Sequence, residues 1–181
     1  MHHSVATHSF SGVVAAALSI AILCCASAAF AAAPKSGAAP AAAILDVTGV
    51  DGKRMTVDVA ALGKLPQHTV HAQAHGKSVT CTGPTLIDVV DPAGKAGGEK
   101  LRGKNLALHV RASAADGYHA VFSFAEIDSG IGGDDVPIVT ASCDGRALDA
   151  KDGPLRIVAP RDKRPARWVR QLTALEVLGG S

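Results

Sequence analysis

Turn-forming pairs punctuate this chain at short intervals, and their spacing limits every element between them to a few residues. Asp51-Gly52, His75-Gly76, Asp116-Gly117 and Asp144-Gly145 each interrupt stretches rich in apolar or β-branched residues, the pattern of strands entering tight turns. Residues 44–47 and 54–57 read as one hairpin; residues 69–80, folded about His75-Gly76-Lys77, read as a second. Thr56 or Asp58 is placed to cap a short helical turn carrying Val59, Ala60 and Leu62, which Gly63 and Pro66 stop. Thr85 with Asp88, and Ser123 with Glu126, match the signature in which a hydroxyl caps a helix start, so each opens a short helix. Leu106, Leu108, Val110 and Ala112 alternate with Ala107, His109 and Arg111, the period of a half-buried strand. Extended segments are also read at 118–122, 136–141, 155–158 and 168–178, with a glycine and lysine loop at 94–102, a solvated acidic loop at 128–135 and a basic loop at 160–167. Many short strands with two or three short helices make an α+β domain rather than a doubly wound parallel sheet.

Ahead of these elements, residues 13–23 form an almost unbroken apolar run, too short to cross a bilayer as a helix and followed by small residues up to Ala31. Residues 1–31 therefore read as a removable signal peptide. Leu23 stands before Cys24 where a lipid-attachment signal wants a small residue, which disfavours lipidation. Residues 32–42 are Ala, Pro, Gly and Ser with one Lys, a flexible tether, and residues 43–181 are one domain's worth of chain. The expected location is periplasmic, and an integral membrane protein is not expected. A formal net charge of +2 and 3% aromatic residues leave neither a strong field nor a stacking surface for nucleic acid. Two cysteines follow the leader, Cys81 and Cys143, with two readings open: a disulfide, or two buried thiols that act as small hydrophobes.

Seven motifs occur in a telling order: Thr82-Gly83-Pro84-Thr85-Leu86 with Asp88, Ala93-Gly94, Asp116-Gly117-Tyr118, Phe122-Ser123-Phe124-Ala125-Glu126, Asp144-Gly145-Arg146-Ala147-Leu148, Gly153-Pro154-Leu155-Arg156-Ile157-Val158-Ala159-Pro160, and Arg167-Trp168-Val169. Together they resemble the molybdopterin-binding domain of the sulfite oxidase superfamily in its small, secreted, stand-alone form. The resemblance covers nearly all of residues 43–181 and implies that fold, with a pterin or molybdopterin-like ligand. In the family's enzymes one cysteine thiolate binds molybdenum, from a segment before the Gly-x-x-Leu helix entry. Here Cys81 lies only two residues before Gly83, and Cys143 lies far from that position. The resemblance is thus to a pocket without its metal anchor, and molybdenum is not expected. Enzymes of the family that cross a membrane folded use a leader with paired arginines, and this leader has no arginine. A Sec-type route, with folding outside, is implied.

The residues expected to form the pocket are Trp168, Arg167, Arg156, Tyr118, Asp116, Arg111 and His109. Trp168 offers a flat indole amid Arg161, Lys163, Arg164, Arg167 and Arg170, and guanidinium groups bind phosphates or polar ring edges. The competing reading buries Trp168 at the start of a core strand and leaves the arginines solvated. Arg156 lines the pocket by resemblance, or pairs with Asp152 or Asp149. Asp116 and Tyr118 give a pocket rim, or hairpin chemistry and a core tyrosine. His109 and Arg111 give a polar wall, or an exposed sheet face. His71 and His75 lie about 13 Å apart on an extended strand, too far to share a metal, and His68 falls on the other face. The favoured function is a periplasmic pterin-binding module, a ligand-responsive adaptor for a membrane signalling or periplasmic partner. The alternatives are a molybdopterin-dependent oxidoreductase acting on a small oxyanion or sulfoxide, with Cys81 recruited as ligand, and a structural subunit with a vestigial pocket.

Overall fold

The computed structural model describes residues 43–179. The signal peptide and tether read at 1–31 and 32–42 lie outside the described residues.

Alternation along β1 (Ile44–Thr48) buries Leu45 and Val47 and exposes Ile44 and Asp46, and the Asp51-Gly52 turn returns the chain as β2 (Arg54–Asp58). Asp58 caps α1 (Val59–Leu62), its carboxylate accepting the Ala61 N–H at 2.7 Å. The second hairpin is β3 (His68–Ala74) and β4 (Lys77–Gly83), in continuous antiparallel register. Thr85 caps α2 (Leu86–Val90). After a glycine-rich loop and two 3-10 turns, β5 (His109–Ala114) and β6 (His119–Ser123) pair across the Asp116-Gly117 turn. Ser123 and Glu126 form a reciprocal capping box on α3 (Phe124–Ile127), followed by α4 (Ser129–Gly132). The chain then runs through β7 (Ile138–Thr140), β8 (Ser142–Cys143), β9 (Arg146–Ala147) and β10 (Arg156–Val158) to β11 (Leu172–Leu178).

Three sheets result: a five-stranded one in the order β2-β1-β11-β5-β6, a four-stranded one in the order β3-β4-β8-β9, and the ribbon β10-β7. In the largest, β1 and β11 are parallel, so the first and last described strands lie side by side and the whole intervening chain must fold to bring them together. The β7 ribbon ties the other two sheets. The Leu86 N–H donates to the Pro137 carbonyl and the Val139 N–H to the Pro84 carbonyl, while the Leu172 N–H reaches the Leu155 carbonyl. Phe122, Phe124, Leu45, Leu86, Ile138, Leu155 and Leu175 are almost wholly buried where these layers meet, each stabilising the fold by roughly 1.5–3 kcal/mol. Gly83 makes this approach sterically feasible, because a Cβ there would sit 2.0 Å from the Val139 carbonyl oxygen.

The α+β reading stands, with four short helices rather than two or three. Three local readings need correction. Residues 103–107 form a 3-10 turn, so the strand begins at His109 and Leu106 is exposed; its apolar alternation belongs to the turn. The acidic stretch 128–135 is not simply a solvated loop. Asp128 is buried and caps α4 through Gly130, and its other carboxylate oxygen accepts the Gly98 N–H at 2.5 Å. Residues 168–171 precede the last strand, which starts at Leu172. Among the described residues, no helix is long and apolar enough to cross a membrane.

Candidate functional site

A groove of about 1020 Å³ lies between two hairpin turns and the loops on either side of β10. The end of β3 and its turn into β4 contribute Gln73 and His75, and the β5–β6 turn contributes Asp116 and Tyr118. His75 and Gly117 both have positive φ, so each turn reverses tightly enough to hold its side chains at the groove edge. Residues 149–152 and 163–170 supply the charged remainder.

The floor is built on Trp168 and Arg156. Trp168 is 4% exposed, and its indole N–H donates to the Ala159 carbonyl at 2.9 Å. The Arg156 guanidinium carbon lies 5.3 Å from the indole centroid, and Nη1 donates to Asp152 Oδ2 at 2.6 Å. Burial pulls the Arg156 pKa below the ordinary arginine value, opposed chiefly by the charge of Asp152; the group stays cationic. Arg156 Nε is buried without a hydrogen-bond partner. Because Arg156 covers the ring, Trp168 is an anchor beneath the site rather than a bare stacking surface. The open aromatic face belongs to Tyr118, 47% exposed. Its position is fixed at both ends. The Tyr118 backbone N–H donates to Asp116 Oδ1 at 2.9 Å, and the phenol donates to the Ala166 carbonyl at 2.6 Å.

The carboxylates of the groove are engaged within the chain. Asp152 holds Arg156 and lies 4.0 Å from Arg170, Asp149 accepts the N–H groups of Lys151 and Asp152, and Asp116 accepts that of Tyr118. Lys151, Lys163 and Arg164 have no carboxylate within ion-pair distance among the described residues. These three cations line the same groove as the exposed Tyr118 phenol, and the groove's five Lys and Arg against three Asp give its lining a net positive charge that favours anions.

Of the seven residues expected to form a pocket, Trp168, Arg156, Tyr118 and Asp116 come together here. Arg167 does not. It makes a two-pronged pair with Asp162 at 3.0 and 2.6 Å, reaches Glu126 at 2.9 Å and lies over the Phe122 ring. The Asp162 hydrogen bonds raise its pKa further above the ordinary value, and its work is to lock the basic loop onto α3. Arg111 pairs across strands with Glu176, and His109 lies 3.5 Å from the Ala107 carbonyl, both away from the groove on the five-stranded sheet. The hairpin-tip wall and Lys151 had no local signal, because only the tertiary fold carries β3 and β4 to the loops around β10. His68 faces Asp88 at 3.9 Å and His71 faces Thr80 at 3.1 Å, so the histidines of this region have separate neighbours.

Cys81 and Cys143, directly opposite each other on β4 and β8, form a disulfide, which decides between the two readings of these residues. Neither is then a thiolate. Among the described residues, no group of three or more His, Cys, Asp or Glu side chains is arranged to hold a metal ion. The donor set does not fit a molybdenum centre, whereas the basic residues lining the groove fit an organic anion.

Fold and groove together define an α+β domain with a cationic cleft at the junction of its sheets. No protein-family model and no curated protein sequence matches the chain. In three dimensions it is similar to the crystal structure of the sulfane dehydrogenase SoxCD from Paracoccus pantotrophus, with a TM-score of 0.54 and 18% sequence identity over 74% of this chain. The match spans 37% of the SoxCD chain. The likeness is one of fold.

Proposed function

We propose that this chain is an exported binding module that takes a pterin, or another flat heterocycle carrying negative charge, in the groove between Tyr118 and the basic loop. The observation that carries this reading is the pairing of an exposed, tethered phenol ring with Lys151, Lys163 and Arg164, none of which has a carboxylate partner among the described residues. Stacking on Tyr118 would hold the ring system, and the cations would hold its anionic substituents. The fold-level likeness to SoxCD agrees with a pterin-type ligand. A groove of this volume argues against a pocket filled by its own side chains.

Export to the periplasm by a Sec-type signal peptide belongs to the same proposal, supported by the apolar leader and by a disulfide that an oxidising compartment sustains. Occupancy of the groove would then be passed to a membrane signalling or periplasmic partner. The second reading, a molybdopterin-dependent oxidoreductase, draws on the likeness to a sulfane dehydrogenase. It requires a metal ligand that the disulfide-bonded Cys81 does not provide.

Trp168 is the sole tryptophan and lies directly beneath Arg156, so its emission reports on the groove. Titration with a tetrahydropterin should change that emission saturably, and Tyr118→Ala should weaken the response at least tenfold. A linear, non-saturating change would refute the reading. Molybdenum near one atom per chain after purification from a cofactor-producing host would favour the oxidoreductase instead.

A further inference from the structure

We infer that the open edge of β3 is a self-pairing surface, through which two copies of this chain join their four-stranded sheets into one. The argument starts from backbone direction. The Thr80 N–H donates to Asp144 Oδ1 at 2.9 Å, and its carbonyl accepts from the Asp144 N–H at 2.7 Å, so both groups point away from β3. Thr80 and its register partner His71 are therefore a non-hydrogen-bonded pair, and this state recurs at every second residue of an antiparallel ladder. Thr69, His71 and Gln73 consequently direct their N–H and carbonyl groups to the outer side of β3, where no strand is paired among the described residues.

Edge strands are ordinarily blunted by charge, proline, a bulge, shortness or a cover. The other edges here have such devices. Strand β2 carries Arg54 and Asp58, β9 is two residues long, and Arg167 reaches the Val121 carbonyl on β6. Strand β3 is seven residues long, pairs with β4 without a register shift, and contains no Lys, Arg, Asp, Glu or Pro.

The occupant that fits is a second β3. Antiparallel pairing about a two-fold axis at His71 sets His71 against its copy and Thr69 against Gln73 of the second copy, so all six outward backbone groups on each strand find partners. The exposed face of the hairpin is already a polar ladder: Thr69 lies 2.9 Å from Thr82, and Gln73 donates to Ser78 at 2.8 Å. Pairing would extend this ladder across the dimer, and β3 brings no Lys, Arg, Asp or Glu to the seam.

Sedimentation equilibrium of the full chain, purified after expression with its own leader, should give a concentration-dependent monomer–dimer equilibrium. His71→Lys, which opposes two ammonium groups at the axis, should weaken the dimer at least tenfold while circular dichroism stays that of the folded chain. His71→Cys should yield a covalent dimer on mild oxidation, a readout that does not depend on tolerance of the lysine. A wild-type chain that stays monomeric up to millimolar concentration would overturn the inference, as would a dimer indifferent to His71→Lys. Pairing of β3 with a strand of a different protein while the chain alone stays monomeric would also overturn it.

Discussion

The Arg156 guanidinium rests over the indole of Trp168, 5.3 Å from its centroid, and is held there by Asp152. The pair joins β10 to the loop before β11 and forms the floor of the groove, so structure and site share the same contacts. Arg156→Ala should lower stability by about 2 kcal/mol, through loss of the cation–π contact and of a charge-assisted hydrogen bond. It should also abolish the ligand response. Urea denaturation read beside the fluorescence titration checks both, and unchanged ligand binding would remove Arg156 from the site.

The Cys81–Cys143 bridge closes a loop with a sequence separation of 62. Cross-linking a loop of that length stabilises by about 4 kcal/mol in the chain-entropy account. The Cys81→Ala, Cys143→Ala double variant should melt well below the wild type, and a reductant should lower the wild-type melting temperature but not that of the variant.

Gly83 faces the Val139 carbonyl with no room for a methyl group. Gly83→Ala should destabilise by about 3 kcal/mol as β4 is pushed from β7. Thermal melting tests this, and a variant as stable as the wild type would mean that the two strands can separate freely.

Asp51 accepts from Lys95 Nζ at 2.5 Å and from the Lys53 N–H at 3.1 Å. The Lys95 hydrogen bond, helped by that of the Lys53 N–H, holds the carboxyl below its ordinary value. A folded value below the unfolded one contributes stability above the unfolded value of about 4, and that contribution is lost as pH falls through the folded value. Asp51→Asn should therefore be less stable than wild type at pH 7, by a small margin because the pair is exposed. The difference in urea midpoint should shrink and then vanish as pH falls through the folded value of Asp51.

Local chemistry made much of this fold readable. Asp51-Gly52, His75-Gly76 and Asp116-Gly117 turn the chain where their φ preferences demand it, and the Ser123–Glu126 capping box forms with both of its bonds. Apolar alternation misled at Leu106, because a 3-10 turn can carry the same spacing as a strand over three residues. Arg167 looked like a pocket cation because its partners, Asp162 and Glu126, are assigned only by tertiary packing. Of the two readings of Trp168, a stacking surface or a buried ring, the ring is buried, and nothing in the sequence says that Arg156 covers it. The hairpin-tip wall with His75 was invisible for a simpler reason: it comes from a segment far along the chain from the basic loop.

Calorimetric titration of the purified chain with a tetrahydropterin tests the central claim most directly, alongside the Lys163→Ala, Arg164→Ala double variant. The account predicts one saturable site per chain in the wild type, weakened at least tenfold in the variant and by raised salt. No saturable heat in the wild type, or an affinity that the double variant leaves unchanged, would contradict it.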